Sequence, residues 1–206
     1  MTGERGRPRS FDSEEALEQA LAVFWRHGYQ GTSFSDLTAA TGLSKPSLYA
    51  AYGDKEALYL RCLHRYLDTH LRRQSVHLAA ELPGREALER FLHAMVEMLT
   101  DPAQPGGCFL FTGTMDSGGA AMPPAVEAAL RKAIEDGEAQ LRARLKAAQR
   151  KGELAPEADP QGLATFFTTL LAGLALQARD GVPKARLHQV VTLALGIWPG
   201  ARAKSR

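Results

Sequence analysis

The side chains with the most recognition chemistry in this chain lie together. Ser44, Lys45, Ser47 and Tyr49 follow directly on the turn Thr41-Gly42-Leu43 and supply two hydroxyls, an ammonium and a phenol. Groups of these types reach phosphate oxygens and base edges, so the cluster points to nucleic-acid recognition rather than bond-making chemistry. Lys55 adds a cation at the start of the next helix, where it opposes the helix dipole, an arrangement that suits a nearby phosphate. A second candidate is thiol chemistry. Cys108 follows Gly106-Gly107 in a glycine-rich loop, where a thiol could be oxidised, or could act as a nucleophile with His93 as base. The alternative is a small buried side chain opening a short helix. Cys62 falls on an apolar helix face and reads as packing.

Two cysteines are too few for a disulfide framework, and the six histidines form no HExxH or CxxC-type cluster, so neither a metal ion nor a cofactor is expected. A third set of residues, Phe91, Met95, Met98, Phe109, Phe111, Met115, Phe166, Phe167 and Leu170, could line an apolar ligand pocket between helices. Taken singly, each reads more readily as an ordinary core residue. Leu163 to Gln177 carries no acidic residue, which disfavours a strongly cationic ligand, although Asp116 and Glu97 keep one open.

The elements that must position these residues are helical throughout, and no segment shows the period-two alternation of a strand. Leu17, Leu21 and Phe24 mark a first helix, capped by Asp12 or Ser13 and ending at Gly28. Ser33-x-x-Asp36 reads as a variant capping box for a second helix of about two turns, stopped by Gly42. Ser44 caps a third, with Pro46 in its first turn and Gly53 at its end; Leu43 and Leu48 point inward. Asp54 opens a fourth helix, apolar on one side through Leu58, Cys62, Leu63, Tyr66, Leu67 and Leu71, which fades near Leu82-Pro83-Gly84. Beyond that boundary come a fifth helix over Leu88–Leu99, a loop region with a short buried helix around Phe109–Phe111, and a long helix from Val126 to Ala148. Two apolar helices follow, over Leu163–Leu174 and Leu187–Ile197. The fold class is all-α.

At 206 residues with 45% hydrophobic content the chain can bury a substantial core. No apolar run is long enough for a membrane span, and Arg5, Arg7 and Arg9 stand where a signal peptide would need an apolar stretch; a cytoplasmic protein without membrane contact is expected. The net charge of +2 says little. Residues 1–60 carry six basic and eight acidic side chains, but Asp12, Glu14, Glu15 and Glu18 fall on the first helix, away from Lys45 and Lys55. A local basic surface therefore survives an acidic segment total.

The run from Phe24-Trp25-Arg26-His27-Gly28-Tyr29 through Asp36-Leu37 and Ala40-Thr41-Gly42-Leu43-Ser44 to Ser47-Leu48-Tyr49 and Tyr52-Gly53-Asp54-Lys55-Glu56-Ala57-Leu58 resembles the N-terminal domain of TetR/AcrR-family transcriptional regulators. The resemblance covers residues 11 to 60; beyond it only helix count and length agree, with Gly106-Gly107-Cys108 matching a subgroup feature. It implies a homodimeric, ligand-responsive repressor that binds double-stranded operator DNA. Its three-helix helix-turn-helix domain would span residues 1–60, a helical-bundle effector and dimerisation domain residues 61–200, and a disordered tail 201–206. Carried over by position, it makes Ser33 a backbone-phosphate contact and Tyr49 the phosphate-binding tyrosine, places Lys45, Pro46 and Ser47 against bases and phosphates in the major groove, and matches Lys55 to the lysine that opens the fourth helix. Ala50-Ala51-Tyr52 departs from the aromatic–histidine pair common in the family, leaving Tyr52 either at the DNA or in the packing.

Beside such a unit, Arg5, Arg7 and Arg9 suit a minor-groove arm. Leu163, Leu171, Leu174, Leu187, Val190, Val191, Ala194 and Ile197 supply more apolar surface than one subunit covers and are expected at the dimer interface. The rival readings are a thiol-responsive regulator using Cys108, a small helical thiol enzyme built on the same residue, and a ligand-buffering protein whose helix-turn-helix no longer binds DNA.

Overall fold

The computed structural model describes residues 13–115 and 122–200. Asp12, the arm residues Arg5, Arg7 and Arg9, Asp116 and the tail 201–206 lie outside the described residues. Among the described residues ten α-helices follow in order: α1 (Ser13–Gly31), α2 (Phe34–Thr41), α3 (Lys45–Tyr52), α4 (Lys55–Tyr66), α5 (Arg72–Ala79), α6 (Gly84–Leu99), α7 (Phe109–Met115), α8 (Pro124–Arg150), α9 (Pro160–Arg179) and α10 (Lys184–Ala194). Among the described residues there is no strand, only one antiparallel bridge between Leu154 and Gly200.

The local signals act where the sequence puts them, with one extension. Gly28 takes φ 70 and breaks the regular helix, yet helical structure resumes for a further turn to Gly31, held by the Thr32 hydroxyl donating to the Gly28 carbonyl at 2.7 Å. The capping box at α2 is complete. Asp36 Oδ2 accepts from the Ser33 amide at 2.7 Å, and Ser33 Oγ accepts from the Asp36 amide at 3.2 Å. The Ser33 hydroxyl also donates to Asp36 Oδ2, at 2.7 Å, and this bond, with that from the Ser33 amide, holds the Asp36 pKa below its ordinary value. Asp54 caps α4 through the Ala57 amide at 2.8 Å, and Asp159 caps α9 through the amides of Gln161 and Gly162.

The α4 helix does not stop at Tyr66. It passes through a π-helical turn, Leu67–Leu71, straight into α5. Such turns place side chains one step out of α register and are frequent at functional sites. Upstream of it, α4 buries Leu58, Tyr59, Cys62, Leu63 and Tyr66. Phe24, Trp25 and Tyr29 of α1 pack on this face: Phe24 meets Tyr59 edge-on at 5.0 Å, and Trp25 meets Tyr66 at 4.9 Å. From the other side Phe109 of α7 lies 5.1 Å from Tyr59 and 5.5 Å from Tyr66. Each buried aromatic is worth about 2–3 kcal/mol of transfer free energy, so α4 carries both the N-terminal three-helix unit and the larger bundle.

In the bundle, α8 packs along α9, α5 along α6, and α10 across α6. The short α7 fits among α1, α4, α8 and α9 because Gly113 has no side chain: a Cβ there would stand 2.6 Å from the Tyr59 hydroxyl and 2.9 Å from Leu130. The α6–α10 contact is polar at its edge. Glu97 accepts from Lys184 Nζ at 2.7 Å and pairs with His188 Nε2 at 2.9 Å, and His188 Nδ1 lies 2.7 Å from His93 Nδ1. Two ring nitrogens at that distance share one proton, and burial together with His188 pushes the His93 pKa below its usual 6.5, against the weaker pull of Glu89 and Glu97.

Because the folded state binds the His93 proton less readily than the unfolded chain, its contribution to stability is constant above about pH 6.5 and falls as the pH drops through that value. The thermal midpoint of the wild type should therefore fall between about pH 7 and about pH 5 more steeply than that of His93→Gln. Parallel slopes in the two proteins would remove His93 from the linkage.

Candidate nucleic-acid interface and apolar cavity

The exposed face of α3 is built by a strict division of its residues. Leu48 and Tyr52, four apart, are buried, while Lys45, Pro46, Ser47, Tyr49 and Ala50 face solvent. A four-residue interval is about one helical turn, so burial of these two anchors turns the opposite face outward. Gly42 at φ 66 supplies the left-handed turn between α2 and α3, with its amide donating to the Thr38 carbonyl at 3.0 Å. Ser44 then caps α3 by accepting from the Ser47 amide at 3.3 Å, and the two hydroxyls lie 2.8 Å apart.

Tyr49, 42% exposed, stacks on Phe34 of α2 with ring centroids 4.8 Å apart. Lys45 Nζ sits 5.1 Å above the Phe34 ring and 5.9 Å from that of Tyr49. The cation–π contacts hold the lysine stem against the surface and leave its ammonium at the rim. Phe34 was not among the residues singled out from the sequence. The signal available was its place immediately after the Ser33 cap, which puts it beside the start of α3. Lys55 Nζ lies 4.5 Å over the ring of Tyr29, whose own pKa is raised by burial and by the nearby Glu56 and Asp54 carboxylates.

Tyr52 is corrected to a packing residue. It is only 5% exposed, and its hydroxyl donates to the Ser13 carbonyl at 2.7 Å, tying α3 to the start of α1. Two acids of α1 are tied to the helix run of α4. Glu14 and Glu18 both bond Arg65 of α4, Glu18 at 2.9 Å, and Glu18 also meets His70 Nε2 at 3.3 Å.

An apolar cavity of about 310 Å³ lies in the larger bundle. Of the expected lining residues Phe91, Met95 and Phe111 do line it. The others do not. Phe109 and Phe167 are core residues, Met98 is buried outside it, Leu170 is half-buried outside it, and Phe166 and Met115 are exposed, Met115 at 59%. The helical period alone cannot say which neighbour a buried stripe meets. The cavity is completed by residues not assigned to it: Leu67, Leu71 and Leu78 from the α4–α5 segment, Cys108 and Leu110, Ile134 and Leu141 of α8, and Thr168 and Leu171 of α9.

The residues expected at a dimer face fall into two groups. Leu171, Leu174, Leu187, Val191 and Ala194 are buried within the chain's own bundle, and Leu163 is half-buried. The outward apolar residues are Phe166 and Leu176 of α9, Val190 and Leu193 of α10, and Ile197 of the 3-10 turn Leu195–Ile197 that follows it, with Leu193 77% exposed. This face also explains why α9 has the length and apolar composition of a membrane span while only part of it is buried. Cys108 is buried, the Tyr66 hydroxyl donates to its sulfur at 3.3 Å, and burial raises its pKa, which keeps the thiol protonated and unreactive. His93 pairs with His188 rather than with Cys108, so the thiol enzyme has no base. Among the described residues no cluster of three or more His, Cys, Asp or Glu is placed to hold a metal ion.

A two-helix unit of this geometry on a helical bundle defines a helix-turn-helix DNA-binding protein. The profile of bacterial regulatory proteins of the tetR family matches residues 16–62, and that of the tetracyclin repressor-like C-terminal domain matches residues 84–196. The chain is 34% identical to the HTH-type transcriptional repressor ComR of Escherichia coli (strain K12), over 95% of this chain and 92% of ComR. It is 29% identical to the HTH-type transcriptional repressor BdcR of the same strain, over 85% of this chain and 83% of BdcR. Among solved structures, a cysteine variant of the TetR family transcriptional regulator CifR, complexed with 26-bp double-strand operator DNA, is 38% identical with a TM-score of 0.88, covering 94% of this chain and 100% of that one. The chain belongs to the TetR family of transcriptional regulators. It is a DNA-binding regulator and not an enzyme.

The geometry separates recognition from packing in a way that can be measured. Lys45→Ala should weaken operator binding and lower the salt slope of log K by about one, whereas Tyr52→Phe should lower unfolding stability by about 1 kcal/mol and leave operator affinity of the folded protein unchanged. Loss of operator affinity in Tyr52→Phe at full folding would return Tyr52 to the interface.

Proposed function

We propose that the chain is a homodimeric repressor that leaves a palindromic operator when a small apolar molecule enters the bundle cavity. The observation that carries this reading is the continuity of α4. Tyr59 and Tyr66 pack against α1 of the helix-turn-helix unit, and the same helix runs on through Leu67 and Leu71 into the cavity wall. A ligand that prefers one position of this helix shifts the separation of two recognition helices in a dimer, and by that differential affinity weakens operator binding.

On this reading, residues 1–60 and 61–200 divide the labour with the boundary inside α4, so the helix is the hinge between them. Arg179 at the end of α9 supports the coupling, because it donates to Thr112 of α7 at 2.8 Å and to the Arg26 carbonyl of α1 at 2.9 Å. Ser33, Ser44, Lys45, Pro46, Ser47, Tyr49 and Lys55 meet the major groove and its phosphates, with Arg5, Arg7 and Arg9 reaching the minor groove. The protein works in the cytoplasm, where its DNA is. The apolar stripe Phe166, Leu176, Val190, Leu193 and Ile197 meets its own copy across a twofold axis.

Operator binding is tested by fluorescence anisotropy against DNA upstream of the protein's own coding sequence, at two salt concentrations. Specific, salt-sensitive binding that disappears in Lys45→Ala, Tyr49→Ala supports the reading; equal affinity for a scrambled duplex contradicts it. Leu193→Glu places a carboxylate in the middle of the twofold face. It should shift the protein from dimer to monomer in sedimentation velocity and reduce operator affinity by at least about a hundredfold, while a dimer that persists with full affinity would put the interface elsewhere.

A further inference from the structure

We infer that α3 reads its operator through the 5-methyl groups of thymines, with Ala50 and Pro46 as the residues in contact. This inference rests on the proposal above that α3 lies in the major groove, and it says what the helix reads there. At 3.6 residues per turn, the inward direction set by the buried Leu48 and Tyr52 leaves Ala50 about 180° away and Pro46 about 140° away. Both are exposed. Being four residues apart, they form one row along the outermost line of the helix.

The polar side chains of α3 stand to the sides of that row. Lys45 lies only about 40° from the inward direction and Tyr49 about 80°. They occupy the flank that meets α2, where Tyr49 stacks on Phe34 at 4.8 Å and the Lys45 ammonium lies 5.1 Å above the same ring. A helix about 10–12 Å across fills a major groove about 12 Å wide, so its outermost row faces the base edges and its flanks face the phosphate walls. Lys45 and Tyr49 are thereby directed at phosphates. Ser47 falls about 120° from the inward direction on the opposite side, and its hydroxyl shares a hydrogen bond of 2.8 Å with that of Ser44. A hydroxyl both donates and accepts, so it does little to tell one base from another.

What faces the base edges is therefore a methyl group and a pyrrolidine ring. Neither side chain donates or accepts a hydrogen bond. Of the groups that base pairs present in the major groove, the thymine 5-methyl is the one an apolar side chain recognises. Contact with Ala50 or Pro46 withdraws that methyl from water, whereas a cytosine in the same place would turn its amine towards a surface without an acceptor.

The test begins with full-length protein and selection of an operator from random-sequence duplexes. Each thymine of a half-site is then replaced in turn by deoxyuridine, which removes the methyl group and leaves every hydrogen-bonding group in place. One or more replacements should weaken binding about fourfold in fluorescence anisotropy, the worth of a methyl group withdrawn from water. Ala50→Gly and Pro46→Gly should each abolish that penalty at one of these thymines. Any loosening of α3 by the glycine weakens the thymine and uridine duplexes alike and cancels in their ratio. A selected half-site without thymine overturns the inference, as does one that tolerates deoxyuridine at every thymine, or penalties that persist unchanged in both variants. The double variant Lys45→Ala, Tyr49→Ala separates the two readings. An operator that is lost in that variant and ignores deoxyuridine leaves the major-groove reading standing without this one, and a pool from which no sequence emerges contradicts both.

Discussion

Everything in this molecule hangs on α4 having to satisfy two cores at once. Its Tyr59 and Tyr66 are in contact with Phe24 and Trp25 of α1 on one side and with Phe109 of α7 on the other. Packed interiors are stiff and deform by switching between discrete arrangements rather than by stretching. Movement of α4 against the bundle therefore has to be accommodated by α1, and with it by the two helices that α1 supports. The polar ties repeat the pattern: Arg65 and His70 hold Glu14 and Glu18, while Arg179 holds the carbonyl of Arg26.

The recognition surface is rigid for a different reason. Both α2 and α3 are two turns long, too short to be stable by propensity alone. Their ends are determined by side chains that satisfy the free backbone groups: Ser33 with Asp36, Gly42, Ser44, and Gly53 with Asp54. Leu37, Leu48 and Tyr52 then anchor them on the core. What remains outward is a small block of Lys45, Phe34 and Tyr49 in mutual contact, so the charged group is displayed on an aromatic base rather than on a free tether.

In the bundle the same close packing has two consequences. Gly113 lets α7 approach α4 and α8 closely enough to bury Cys108 beneath Tyr66, which removes the thiol from chemistry although its loop is glycine-rich. The cavity next to it is bounded by the π-helical turn of the α4–α5 segment. The side chains of Leu67 and Leu71 thereby belong both to the cavity wall and to the helical run that reaches the DNA-binding unit. The exposed apolar residues Phe166, Leu176, Val190 and Leu193 stand on α9 and α10, and none of them lines the cavity.

The sequence by itself determined the all-helical class, the start and stop of nearly every helix, and the helix-turn-helix with its outward residues. These follow from local chemistry: caps, left-handed glycines, prolines in first turns and a helical period that can be counted. Gly28 was legible as a break, read there as the end of the helix; the further turn to Gly31 was not, because it depends on a later threonine folding back. Tertiary structure decided which core each apolar residue faces. Phe166 and Leu171 are both apolar and lie on one helix, yet one is exposed and the other lines the cavity, since their roles depend on which helices pack beside α9 and at what angle. It also decided the fate of Tyr52 and Cys108. A hydroxyl or thiol shows its partner only when the chain brings a distant group to it.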